Sequence, residues 1–203
     1  MKKLLFLAVA FITFTAIAQQ KGYKPGDKAI DFYLKNIDGK YISLADHKNA
    51  KGFIVVFTCD HCPYAIAYQE RINALDKKYK GQGYPVIAIN ADDSTDNPED
   101  SYSNMQVRAK EQAFTFPYLL DASQEVAQAY GATRTPHVFV LQKDNGALIV
   151  KYIGAIDDNT YDPSAVTKKY VELAVDALLA GKDVVITSTK AIGCGIKWKS
   201  KAN

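Results

Sequence analysis

Two uninterrupted apolar runs, Phe53-Ile54-Val55-Val56-Phe57 and Pro85 to Ile89, bracket a segment with helical periodicity. In that segment Tyr68, Ile72, Leu75 and Tyr79 recur at intervals of four, three and four. The runs read as strands buried on both faces, and the segment reads as a helix laid across them, closed by Gly81 and Gly83. Before them, Ile30 to Leu34 alternates weakly, Asp38-Gly39 marks a turn and Tyr41 to Leu44 follows. This predicts an N-terminal β-hairpin. After them, Asn90 to Asp100 reads as an acidic loop, with a helix from there to about Gln112 and a short apolar segment at Phe116 to Leu120.

A helix opens at Ser123-Gln124-Glu125, carries Val126, Ala127 and Tyr130, and stops at Gly131. Val138 to Leu141 and Leu148 to Ile153 flank Asp144-Asn145-Gly146, a strong hairpin signal. Asp162-Pro163 predicts a capped helix through Val166, Tyr170, Leu173 and Ala177 to Gly181. The order is hairpin, βαβ, two helices, hairpin, helix. It predicts an α/β thioredoxin-like fold: a central mixed sheet flanked by helices, with the N-terminal hairpin and an insertion, Asn90–Leu120, between the two halves.

Residues 1–18 read as an address. Lys2 and Lys3 precede an apolar stretch from Leu4 to Ile17, and Ala16-Ile17-Ala18 offers small residues for cleavage after Ala18. About 14 apolar residues are short for a membrane span, and no cysteine follows them for lipid attachment. A cleaved signal peptide and a periplasmic or secreted protein are expected, with one domain over 19–203 and no stable membrane insertion after cleavage. Losing the two lysines lowers the formal charge from +3 to +1. A near-neutral chain without a basic block gives no reason to invoke nucleic acid.

The chemistry concentrates in Phe57-Thr58-Cys59-Asp60-His61-Cys62-Pro63, which falls between a strand and a helix. A bond between Cys59 and Cys62 closes almost no loop, so the pair is poorly explained as a staple. At a helix N-terminus free N–H groups and the helix dipole favour a thiolate, so a depressed Cys59 pKa is expected. The third cysteine, in Gly193-Cys194-Gly195, is either a third redox thiol near Cys59 or a buried free cysteine, and the latter is the reading taken. Asp92, Asp93, Asp96, Glu99 and Asp100 crowd one loop without the central glycine of a calcium loop, so they read as a solvated loop leading into a helix start. No metal ligands and no cofactor are assigned. His137 either lies near the thiols or simply starts a strand, and His47 receives no role.

Several blocks carry a family likeness: Thr58-Cys59-Asp60-His61-Cys62-Pro63-Tyr64, Phe116-Pro117-Tyr118-Leu119, Tyr130-Gly131-Ala132, Thr135-Pro136 and Gly193 to Lys199. The chain resembles the thioredoxin-like superfamily, in particular its redoxin branch related to alkyl hydroperoxide reductase and thiol-specific antioxidant proteins. The resemblance implies an exposed nucleophile at Cys59, a resolving thiol at Cys62 and a cis Thr135-Pro136 bond facing them. It gives Thr135 and Pro136 the role of binding a partner chain, and His61 that of tuning the thiolate. There are departures. Thr58 stands where thioredoxins carry Trp, Phe53 where they carry a buried acid, and the peroxiredoxin Thr and Arg positions hold Cys59 and Pro136.

The resulting expectation is an exported thiol–disulfide oxidoreductase with protein dithiol or disulfide clients and a regenerating redox partner, its oligomeric state open. Its rivals are a thiol peroxidase and a copper-binding or delivery module.

Overall fold

The computed structural model describes residues 22–95 and 97–200. The expected signal peptide and Asp96 lie outside the described residues. Among those described, no helix is long and apolar enough to cross a membrane.

The strands are β1 (Lys28–Ala29), β2 (Leu34–Asn36), β3 (Tyr41–Ile42), β4 (Gly52–Phe57), β5 (Val86–Asn90), β6 (Tyr118–Leu120), β7 (Arg134–Thr135), β8 (His137–Asp144), β9 (Ala147–Gly154) and β10 (Cys194–Gly195). The helices are α1 (Pro63–Tyr79), α2 (Tyr102–Glu111), α3 (Glu125–Tyr130) and α4 (Tyr170–Leu179). Among the described residues, eight strands form one mixed sheet in the order β1-β9-β8-β4-β5-β6-β2-β3, and β7 pairs with β10 apart from it. β4 is central, parallel to β5 and antiparallel to β8. This is the thioredoxin-like α/β arrangement that the element order predicts.

The continuous apolar run of β4 has a direct cause, because both faces of the strand are covered. Ile54 and Val56 pack with Tyr68, Ile72, Leu75 and Tyr79 of α1, Met105 of α2 and Val171 and Val175 of α4. Phe53, Val55 and Phe57 pack on the other face with Val126, Ala127 and Tyr130 of α3 and Phe139 of β8. Burying a side chain of this size contributes about 1.5–3 kcal/mol, so strand register is strongly specified here.

The N-terminal hairpin is β2–β3, closed by the expected Asp38-Gly39 turn. Its first strand starts only at Leu34, Ile30 to Tyr33 being irregular, and its second ends at Ile42, Leu44 opening a 3-10 turn. β1 sits on the far edge against β9, which the weak alternation did not foretell. The insertion carries α2 and then β6, which pairs parallel to β5 and bridges it to β2. It therefore extends the sheet as well as separating its halves.

The last helix differs from its expectation. Asp162 caps only a 3-10 turn, Pro163–Ala165, and Val166 is extended at φ −66°, ψ 121°. A new helix starts at Tyr170 in a different phase and buries Val171, Ala174, Val175 and Leu178, leaving Leu173 exposed. The apolar spacing fitted two registers. The Asp158 carboxylate, which accepts from the Thr167 N–H at 2.9 Å, holds the break that selects the observed one.

Gly52 opens β4 where a Cβ would overlap the Leu141 carbonyl and the Tyr84 ring. Gly52→Ala should destabilise the fold by about 1–3 kcal/mol, read as a lowered urea midpoint. An unchanged midpoint would contradict the tight β4–β8 approach.

Candidate functional site

The site lies at the C-terminal ends of the parallel strands β4 and β5. Beyond Phe57 the Thr58 N–H still donates to the Ile89 carbonyl at 2.9 Å, which fixes where the chain leaves the sheet. Cys62 is the N-cap of α1 and Pro63 its first residue, where a missing N–H costs nothing. Cys59 therefore precedes the helix by a short loop instead of sitting on its first turn.

The Thr135-Pro136 bond is cis, as the resemblance implies. Thr135 is where the sulfurs converge. The Cys59 thiol donates to Thr135 Oγ1 at 3.1 Å, and Cys62 Sγ lies 3.3 Å from the Thr135 carbonyl oxygen. The third cysteine joins them. Cys194 is disulfide-bonded to Cys62 across 132 residues, with Cα atoms 6.0 Å apart. Its N–H also points at Cys62 Sγ, at 3.4 Å. The reading of Cys194 as a buried free cysteine is thus corrected: Cys194 is half-buried and bonded, and Cys59 is the free, buried thiol.

The chain brings Cys194 there on a docked C-terminal segment. β10 pairs antiparallel with β7, Cys194 opposite Thr135. Gly193 lies so close to Thr135 that a Cβ would overlap its carbonyl, which explains the first glycine of the Gly-Cys-Gly triplet. Ile196 is buried in the core, and Gln124 Nε2 donates to the Lys197 carbonyl at 2.8 Å. The Lys199 N–H donates to Gln124 Oε1 at 2.8 Å. Thr135 and Pro136 are buried beneath this segment. The backbone that the resemblance offers to a partner chain is occupied by the protein itself. His137 begins β8, and its Nδ1 accepts from the Thr133 N–H at 3.3 Å. Burial holds its pKa down at about 4.

The electrostatics reverse the expectation for Cys59. Cys59 is 1% exposed, not an exposed nucleophile. Burial pushes its pKa well up, and the Asp92 and Asp100 carboxylates push it further. The acidic stretch is not simply a solvated loop, because Asp92 and Asp100 are both buried. Asp100 Oδ1 accepts from the Asp60 N–H at 2.6 Å and from Asn90 Nδ2 at 3.1 Å, and its Oδ2 bonds His61 Nδ1. Asp92 Oδ1 accepts from the Lys197 N–H at 2.6 Å.

Asp60 is buried as well. Its Oδ1 accepts from the Tyr118 hydroxyl at 3.1 Å, and its carbonyl accepts from Arg108 Nη2 at 2.9 Å. Sequence reasoning missed Asp92, Asp100 and Tyr118 as site residues. Asn90, two residues before Asp92 and at the end of a buried strand, was the available signal, since chemistry collects at the C-terminal ends of parallel strands.

Burial raises the Asp60 carboxyl from 3.8 to about 6. A carboxyl with a raised folded-state pKa stabilises the fold below its unfolded pKa, and that contribution is lost as pH climbs to the folded value. Asp60→Asn should therefore gain stability over the parent as pH rises from about 4 to about 6 and keep a gain on the order of 3 kcal/mol above it. Urea unfolding at pH 4 and pH 8 reads this, and a gain that does not grow with pH would contradict it.

Known proteins agree with this architecture. The sequence profile described as the AhpC/TSA family matches residues 25–152. The thiol-disulfide oxidoreductase ResA of Bacillus anthracis is 30% identical over 151 residues, covering 72% of this chain and 80% of the relative. A crystal structure of a hypothetical protein from Sinorhizobium meliloti 1021 superposes with a TM-score of 0.81 at 36% identity, covering 88% of this chain and 97% of that one. The exposed lipoprotein thioredoxin of Streptococcus pneumoniae TIGR4, at 20% identity, shares the fold with a TM-score of 0.54 over 75% of this chain and 99% of its own. With its thioredoxin-like sheet and a family match spanning more than half its length, the chain belongs to the AhpC/TSA family.

Proposed function

We propose that the chain is a thiol–disulfide oxidoreductase whose reactive set is Cys59, Cys62 and Cys194. The observation that carries this reading is a free thiol and a disulfide gathered on one residue: Cys59 bonds the Thr135 hydroxyl while Cys62, bonded to Cys194, lies against the Thr135 carbonyl. The thiol-disulfide oxidoreductase relatives support the same chemistry.

In the fully reduced protein the C-terminal segment loses its covalent anchor and is held only by the β7–β10 pairing and the Ile196, Lys197 and Lys199 contacts, and its local opening exposes Cys59 to a client. The Cys59 thiolate attacks a client disulfide. One client sulfur leaves as a thiolate and takes up a proton, and a mixed disulfide remains on Cys59. Cys62 attacks Cys59 Sγ, releases the second client thiol and forms Cys59–Cys62. Cys194 then attacks Cys62 Sγ and frees Cys59, which gives the arrangement seen in the structure. Two electrons have passed to the client, and a dithiol partner must return them. In this resting state burial and the two carboxylates hold Cys59 protonated, so it does not attack the neighbouring Cys62–Cys194 bond. The Lys-led apolar stretch of residues 1–18 supports action outside the cytoplasm.

Reduced protein should catalyse reduction of insulin disulfides. Cys59→Ser should abolish turnover. Cys194→Ser should complete one turnover and accumulate the Cys59–Cys62 disulfide, seen by peptide mapping. Peroxide consumption without any reduction of insulin would overturn this reading in favour of a peroxidase.

A further inference from the structure

The carboxylates around Cys59 exceed what thiol exchange needs. Four potential ligands from three separate segments converge: Cys59 and His61 before α1, Asp92 after β5, and Asp100 in the 3-10 turn Pro98–Asp100. One ligand atom from each lies within 4.8 Å of all the others. We propose that these four side chains form a binding site for a divalent ion of borderline softness, with zinc as the chemical type.

The orientation of the carboxylates supports this. Each has one oxygen fixed from behind: Asp92 Oδ1 by the Lys197 N–H at 2.6 Å, and Asp100 Oδ1 by the Asp60 N–H at 2.6 Å and Asn90 Nδ2 at 3.1 Å. This is the outer support that positions metal-binding carboxylates. The second oxygens both turn toward His61 Nδ1, which bonds Asp100 Oδ2 and lies 3.7 Å from Asp92 Oδ2.

Asp92 Oδ2 is buried with no hydrogen-bond partner, although the Asp92 side chain is 0% exposed. A buried carboxylate oxygen without a hydrogen bond is costly, and His61 Nδ1 at 3.7 Å is too far to supply one; a cation among these groups removes that cost. The nearby Arg108 does not do so, since its guanidinium is turned to the Asp60 carbonyl.

The donor set selects the metal. One sulfur, one imidazole nitrogen and two carboxylate oxygens suit tetrahedral zinc, whereas calcium and magnesium take oxygen ligands in larger number. Bonds of about 2.0–2.3 Å around zinc separate ligand atoms by roughly 3.3–3.7 Å. The set therefore needs to close by about 1 Å at its widest. The site uses Cys59 alone, because Cys62 is held by Cys194. It is distinct from a chelate made by the cysteine pair, and it stands independently of the oxidoreductase reading.

The test uses oxidised protein with Cys62–Cys194 intact and Cys59 free. Titration with Co²⁺ should give one equivalent of binding with a thiolate-to-cobalt charge-transfer band, and Zn²⁺ should displace it. Asp92→Asn should weaken Zn²⁺ binding about tenfold or more, and Cys59→Ser should remove the band. In the unmodified chain Zn²⁺ should also slow maleimide labelling of Cys59, which needs no variant to fold. The double variant Cys62→Ser with Cys194→Ser should keep the band. The absence of a band, a band that appears only after Cys62–Cys194 is reduced, or labelling of Cys59 indifferent to Zn²⁺ would each overturn the proposal.

Discussion

The antiparallel docking of Cys194-Gly195 on Arg134-Thr135 is the contact on which the rest of the site depends. It brings the third cysteine to Cys62, covers the cis-proline edge and delivers the Lys197 N–H to Asp92. The cysteine pair, the acidic loop and the C-terminal segment are thereby joined in one network. A disulfide spanning 132 residues reinforces it. In the chain-entropy account such a closure stabilises by up to about 5 kcal/mol, while a Cys59–Cys62 bond closes almost nothing. Under the proposed exchange, stability and redox state are therefore coupled through Cys62, which either bond must use.

The second governing constraint is charge. Asp60, Asp92 and Asp100 are all buried around the free thiol. The thiol is correspondingly hard to ionise, and the surroundings oppose the helix-dipole effect that a cysteine pair ahead of a helix suggests. That effect is local, worth fractions of a kcal/mol within one turn. Desolvation and two buried carboxylates acting at short range outweigh it. A thiol quiet in the resting state is the consequence.

The fold was legible where hydrophobic pattern and punctuation agreed. The runs of β4 and β5, the 68/72/75/79 stripe of α1, the Asp144-Asn145-Gly146 turn and the Gly131 stop all fall where the residues indicate. The phase of α4 was not legible, because its apolar positions fit two registers and the preceding chain is held out of the helix by a contact from Thr167 to Asp158, both ahead of the N-cap Lys169. The site divided in the same way. Cys59, Cys62, His61 and Pro136 stand out locally. The Cys62–Cys194 bond and the burial of Asp92 arise from contacts between segments 105 and more residues apart. No local spacing encodes such contacts.

The most direct test of the account is the redox equilibrium of the Cys62–Cys194 bond in folded protein. Equilibration in graded dithiothreitol buffers, acid quenching and peptide mapping would follow it. The account predicts that this bond opens and re-forms reversibly in the native state, with the Cys59–Cys62 disulfide appearing when Cys194 is removed. A Cys62–Cys194 bond that resists reduction until the protein unfolds would contradict it and leave the disulfide a structural staple.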